Sequence, residues 1–220
     1  MSTFAVLKAR IVDEMVRGDL TATQLDNAVN DAIRQWEGER FKFNEKRYTI
    51  LTVAAQEYYD LEGPTLLTSA GAAVGTGETL LEIDDIFTSI NNNPYRLCPR
   101  TQQHLDEWQS TTYQGQPADY TLYGAQLRIW PIPDQEYTLS LMGLARLSPN
   151  PLSDDSHTNA WMTEAEPLIR ATAKMLLYRD ILRDRDGAAG ALELVKEAES
   201  MLKRKMAAQA YTGRQKAWSL

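Results

Sequence analysis

The stretch TATQLDNAVNDAIRQWEGERFKFNEKRYTIL, from Thr21 to Leu51, changes period halfway, and that change decides the fold class. Leu25, Val29, Ile33 and Trp36 recur at three- and four-residue spacing, the apolar stripe of a helix. Thr21 with Gln24 three residues on has capping-box form, and Gly38 closes the segment. From Arg47 to Leu61 the text RYTILTVAAQEYYDL is instead rich in β-branched and aromatic residues, and it predicts a hairpin split at Ala54-Ala55.

Upstream, Phe4, Leu7, Ile11 and Met15 make a second helical stripe stopped by Gly18, so the chain opens on a helical hairpin whose stripes need further partners. Downstream, Ser69 to Gly77 reads as a flexible stretch. A strand is predicted over Thr79 to Ile90, then a turn at Asn91 to Pro94 and a short return from Tyr95 to Cys98. Pro99 to Gln109 predicts a short helix. Ala118 to Tyr123 and Gln126 to Trp130 form a hairpin about Gly124, and Tyr137 to Ala145 gives a last strand.

After the polar loop Ser148 to Asn159, Leu168, Ile169, Thr172, Leu176, Leu177 and Ile181 make one broad helical face from about Met162 to Asp184, interrupted by Gly187 and Gly190. Ala188, Ala191, Val195, Ala198 and Leu202 then step by three and four. The expected fold is α+β: a four-helix bundle of two N-terminal and two C-terminal helices, an inserted β-rich wing projecting from one end, and a flexible C-terminal tail. The segments are 1–39, the wing 40–147, 148–202, and a basic extended tail 203–220.

Composition narrows the function. The 220 residues include 43% apolar and 24% charged side chains, enough for a full core. Thirty acids against 23 bases give a net charge of −7, which argues against a dedicated duplex-binding domain. One cysteine, Cys98, excludes an intrachain disulfide and zinc clusters. The acid-bearing N-terminus lacks signal-peptide form and no run approaches the ~18 apolar residues of a membrane span, so a soluble protein that stays in the cell making it is expected.

No catalytic constellation emerges. His104 and His157 have no ligand spacing around them, and Cys98 reads as a half-buried strand residue. Gly71 to Gly77 lacks the Lys-Ser or Lys-Thr step of a phosphate loop and runs into Glu78. Asp84 and Asp85 point to opposite faces of a strand, and Asp154-Asp155 read as a turn or cap. Neither a catalytic residue, a metal ligand nor a cofactor is expected. Lys203, Arg204, Lys205, Arg214 and Lys216, interleaved with Tyr211 and Trp218, carry three readings: a solvated end, a dock for an acidic protein groove, or a nucleic-acid contact.

The order of the pieces resembles the head-to-tail adaptor proteins, or connectors, of tailed bacteriophages. The resemblance is carried by Tyr48-Thr-Ile-Leu-Thr with Tyr58-Tyr-Asp-Leu61, and by the "G-x-P" loop in Gly115-Gln-Pro-Ala-Asp-Tyr120. It continues through Leu127-Arg-Ile-Trp-Pro-Ile-Pro133 with its "P-x-P" end, the strand Tyr137 to Leu141, and Leu152-Ser-Asp-Asp-Ser156 leading to Trp161. Two departures stand out. The family turns its first hairpin around Gly and closes it with Leu-Pro, where this chain has Ala54-Ala55 and Leu61-Glu-Gly-Pro64; the Ser69 to Gly77 stretch is also long.

What the resemblance implies is a non-enzymatic virion protein at the neck, made in the host bacterial cytoplasm. It would form a ring of about twelve subunits on the portal protein, touching a tail or nozzle protein below. Genomic DNA would pass through the lumen without sequence-specific binding, an acidic wall favouring its passage. Lys203, Arg204, Lys205, Tyr211, Arg214, Lys216 and Trp218 would be the portal-docking arm, ordering as it binds. A tail-side ring or tail-fibre adaptor of the same virion is the alternative, and an enzyme with a site shared between subunits the third.

Overall fold

The computed structural model describes residues 2–15, 19–75, 77–90, 93–107, 113–124 and 126–217, the side chains at 64, 90 and 209–217 excepted. In chain order the elements are α1 (Phe4–Met15), α2 (Ala22–Trp36), β1 (Glu45–Leu51), β2 (Tyr58–Asp60), β3 (Leu67–Thr68), β4 (Thr79–Ile90), β5 (Asn93–Arg96) and β6 (Cys98–Pro99). They continue with α3 (Gln102–Glu107), β7 (Gln114–Gly115), β8 (Asp119–Tyr123), β9 (Gln126–Trp130), β10 (Ile132–Pro133) and β11 (Thr138–Arg146). The chain ends on α4 (Ala160–Glu164), α5 (Glu166–Leu176), a π-helical turn (Leu177–Ile181) and α6 (Arg185–Ala217). The fold is mixed α+β, with N- and C-terminal helices packed together and β-sheets between them in sequence. Two compact units result: a helical unit of Met1–Asn44 with Pro149–Leu220, and a β unit of Glu45–Ser148.

In the helical unit, α5 packs against α1, α2 and α6. The predicted stripes are buried: Phe4, Leu7, Ile11 and Met15 on α1, and Leu25, Val29, Ile33 and Trp36 on α2. The capping box at Thr21 and Gln24 is formed in both directions. Trp36 Nε1 donates to the buried Thr172 hydroxyl at 2.9 Å, tying α2 to α5 without leaving the indole N–H unpaired. Behind α2, Phe41 and Phe43 set their rings edge-on to buried Trp161 of α4, at 5.6 and 4.8 Å. Gly18, the predicted stop of the first helix, lies outside the described residues.

The third helix departs from the expected single run. It is divided at Ala165, Pro167 falls in the first turn of α5, and the run ends in the π turn. Proline lacks the N–H that would continue α4, so the break was written in the sequence. Gly187 and Gly190 do not interrupt anything: both lie inside α6. The corner is one turn earlier, where Arg183 takes φ 52° and Asp184 Oδ1 accepts from Gly187 N at 3.0 Å. A Cβ on Gly187 would stand 2.6 Å from the Tyr178 ring, so glycine serves close packing there. Ala191, Val195 and Leu202 are buried on the predicted seam, while Ile181 is exposed.

The β unit holds a five-stranded sheet ordered β3-β1-β11-β4-β5, a four-stranded sheet β2-β9-β8-β6, and a parallel pair β10-β7. Tyr48, Ile50, Tyr59, Ile86, Leu127, Ile129 and Leu141 meet in one core between strands of both larger sheets. The predicted hairpin from Arg47 to Leu61 is corrected by this pairing. β1 joins β11 and β3, whereas β2 joins β9, so Ala54-Ala55 turns the chain from one sheet to the other. Ser69 to Gly77 is more ordered than a flexible stretch: Thr68 N donates to Ala72 O at 2.7 Å, Leu67 bridges Ala73, and Val74 packs on the core. Residue 76 lies outside the described residues. The predicted short helix begins later, at Gln102, and Pro99 belongs to β6.

Candidate functional site

The segments that carry the family pattern turn out to be fastenings. In the helical unit the first amides of α1 have no partners within their own helix. Phe4 N donates to His157 O at 2.9 Å and Ala5 N to Asp155 O at 3.1 Å, so the Leu152–His157 loop caps the helix. That loop is itself held. Asp154 Oδ1 accepts from Ser156 N at 2.8 Å and from Ser156 Oγ, which keeps its carboxyl below the usual range. His157 Nδ1 accepts from the Ser153 and Asp154 amides, both at 3.3 Å. Asn30 of α2 grips Leu152 from both sides, accepting from its N–H at 2.8 Å and donating to its carbonyl at 3.0 Å. Lys8 then reaches Asp26 and Asp155, each at 2.7 Å. The turn expected at Asp154-Asp155 is present; Asn30 and Lys8 as its partners were not legible, since both are far from it in sequence.

In the β unit the G-x-P and P-x-P segments meet each other. Gln114 and Gly115 of β7 run parallel to Ile132 and Pro133 of β10, and Ala118 N donates to Trp130 O at 2.8 Å. The Trp130–Pro131 bond is cis, as is Asn150–Pro151 in the helical unit. Ala55 N donates to Pro133 O at 2.8 Å, and Ala55 has φ 63°. That is the left-handed region where glycine is at ease and alanine is not.

One charged side chain at the centre of the β unit escaped the sequence reading. Arg128 of β9 is fully buried, pairs with Glu57 and, at 2.5 Å, with Asp106 of α3, and lies 5.6 Å from the Tyr58 ring centre. The two carboxylates hold its guanidinium charged against the cost of burial. Tyr48 donates to Glu78, and burial together with that carboxylate pushes its phenol far above the usual tyrosine range.

The predicted docking residues divide into two groups. Lys203, Arg204 and Lys205 are exposed on α6 and already engaged: Lys203 with Glu199 at 2.5 Å, Arg204 with Ser200 at 2.9 Å, Lys205 with Glu164 at 2.9 Å. Tyr211, Arg214 and Lys216 are helical positions whose side chains lie outside the described residues, as does Trp218 altogether. The expected tail does not begin at Lys203, since that residue and those directly after it lie on α6. Ala, Lys, Arg, Gln and Met are strong helix formers, a signal present in KRKMAAQA that the lack of apolar residues masked.

Beside this segment, α5 and α6 leave a shallow apolar groove floored by Pro167, Leu168, Ala171 and Ala198. It holds two adjoining hollows of about 220 and 320 Å³. Met201 and Leu194 on its α6 wall are 59% and 46% exposed. Cys98 is exposed rather than half-buried. Among the described residues no group of three His, Cys, Asp or Glu is placed to hold a metal ion, and no helix is long and apolar enough to cross a membrane.

A family model described as SU10 adaptor protein matches residues 2–217. The chain belongs to the SU10 adaptor protein family. No curated protein matches it. Membership implies a structural, non-catalytic protein of the phage virion, with virion partners.

Proposed function

We propose that the protein assembles into a ring of about twelve copies between the portal and the tail, extending the DNA channel at the neck of the virion. The observation that carries this reading is the adaptor-family match over residues 2–217. The exposed Leu194 and Met201 support it, since large apolar side chains left in a shallow groove suit a protein that works against other proteins. On this reading the helices form a four-helix bundle seated against the portal and the β unit is its wing. The portal-docking set is Lys203, Arg204, Lys205, Tyr211, Arg214, Lys216 and Trp218. DNA passes the net-acidic ring without sequence-specific binding.

Co-sedimentation with the portal protein of the same virus, followed by imaging of the heavy fraction, tests the proposal. A ring added to one face of the portal is the expected result. Protein left at the top of the gradient, but recovered in purified tails, would replace it with the tail-side reading.

A further inference from the structure

We infer that the apolar groove between α5 and α6 is the joint between copies, taking the helical unit of the next copy in the ring. The inference rests on the adaptor-ring reading and names the surface that holds its subunits together. The sequence of α6 is the first support. Ala191, Val195 and Leu202 are buried, and Leu194, Ala198 and Met201 step by four and three along a neighbouring face. The second stripe lines the groove, where Leu194 and Met201 stay exposed. A helix that met only its own unit would need one apolar stripe, and a second calls for a further partner.

Charge says which partner. The β unit has 13 acids and 6 bases, and so carries the whole net charge of −7. The helical unit has 17 acids and 17 bases and is neutral. In a ring every copy meets an identical neighbour, so acidic units repel their like and neutral units do not. Along the groove Lys174 and Arg170 pair with Glu14, and Lys205 with Glu164. These charges are matched within the chain. What they leave is an apolar floor suited to a partner surface that is itself neutral, as the helical unit of a second copy is.

The experiment loads increasing amounts of the full chain on the portal protein and counts the copies bound by sedimentation. Contacts between neighbours make loading steep, whereas independent copies load gradually. Leu194→Gln/Met201→Gln is compared with Val53→Gln/Tyr123→Gln, the same change at exposed apolar sites of the β unit. All four side chains are exposed, so melting temperatures should stay at the wild-type value. The groove pair is expected to weaken later copies about tenfold or more and to leave the first copy within about twofold of wild type. The β pair should load as wild type does. Salt gives a second reading, on the unaltered chain. From about 0.1 to about 1 M the screening length falls from about 10 to about 3 Å, which quiets repulsion between acidic units and spares an apolar joint. Loading should therefore grow steeper, and loading made shallower by salt overturns the neutral joint. Steep loading by the groove pair overturns the inference alone. Loss of its first copy would make the portal the occupant, and lost steepness in the β pair would move the joint to the β unit; either overturns it too. A wild-type chain that never loads overturns the ring reading beneath.

Discussion

The two units handle charge in opposite ways. In the helical unit the ionic groups stay at the rim: Lys174 reaches Glu14 at 2.6 Å, and Arg170 reaches Glu14 and Glu166 at 3.2 and 3.3 Å, all with some access to solvent. Among the described residues that unit buries polar side chains, Asn44, Asn159 and Thr172, but no charged one. In the β unit a charge sits inside. Arg128 has no solvent access and pins the short α3 to the sheet through Asp106. Rim pairs add little because water competes for them, while a buried pair is costly to form and costlier to break by halves. The β unit should therefore fail at single points, and the helical unit only by degrees.

The largest expected effect tests that contrast directly. Arg128→Ala empties a fully buried site and strips Glu57 and the half-exposed Asp106 of their cation; it should cost about 2–4 kcal/mol, mostly from the lost packing, read by denaturant melting of the full chain. A loss under about 1 kcal/mol would remove the pin from the account. Next is Gly143→Ala. The ladder between β11 and β4 shifts register at Met142/Gly143, and a Cβ there would stand 1.9 Å from Glu82 O. The strands must part, at about 1–3 kcal/mol, with amide protection along β4 falling first. An unchanged exchange pattern would show that the close approach is not needed.

In the helical unit the steps are smaller. Thr21→Ala removes one half of the capping box and should cost about 1 kcal/mol, seen as a lower melting temperature with α2 fraying at its start. In the β unit, at the turn between its sheets, Ala55→Gly should act in the other direction, stabilising by about 0.5–1 kcal/mol because φ 63° strains alanine. A destabilised variant would mean that the turn is held by the Ala55 methyl and not despite it. Smallest is Lys174→Ala, at about 0.2–1 kcal/mol and fading in high salt. If it rivals Arg128→Ala, the contrast between the units is lost.

Much of the helical unit could be read from sequence because its contacts follow a local period. Leu7 and Leu25 announce their burial by spacing alone, and so does the seam through Ala191, Val195 and Leu202. The β unit was legible in its strands but less so in its partners. Tyr48 and Tyr59 both read as strand residues and share one core, yet pair in different sheets, since strand pairing is set by distant segments. Arg128 shares a face of β9 with Gln126 and Trp130 and alternates with Leu127 and Ile129, a pattern that places it on a face without saying that α3 covers that face. Arg183 at the α5–α6 corner takes its positive φ with no local signal in the sequence. Of the basic C-terminal segment, charge and composition were readable, but that Lys203 to Lys205 lie on a helix was not.

The pairing of β1 with β11 reaches beyond the sheet it builds. Glu45 lies opposite Leu144, so the chain enters and leaves the β unit on neighbouring strands. Once that ladder forms, the 104 residues of Glu45–Ser148 act on the surrounding helices as a short connection and not as a long loop. The entropy of closing so long a segment is met within the unit itself. Such a unit behaves as a cassette, whose loops can change in length without parting its two ends.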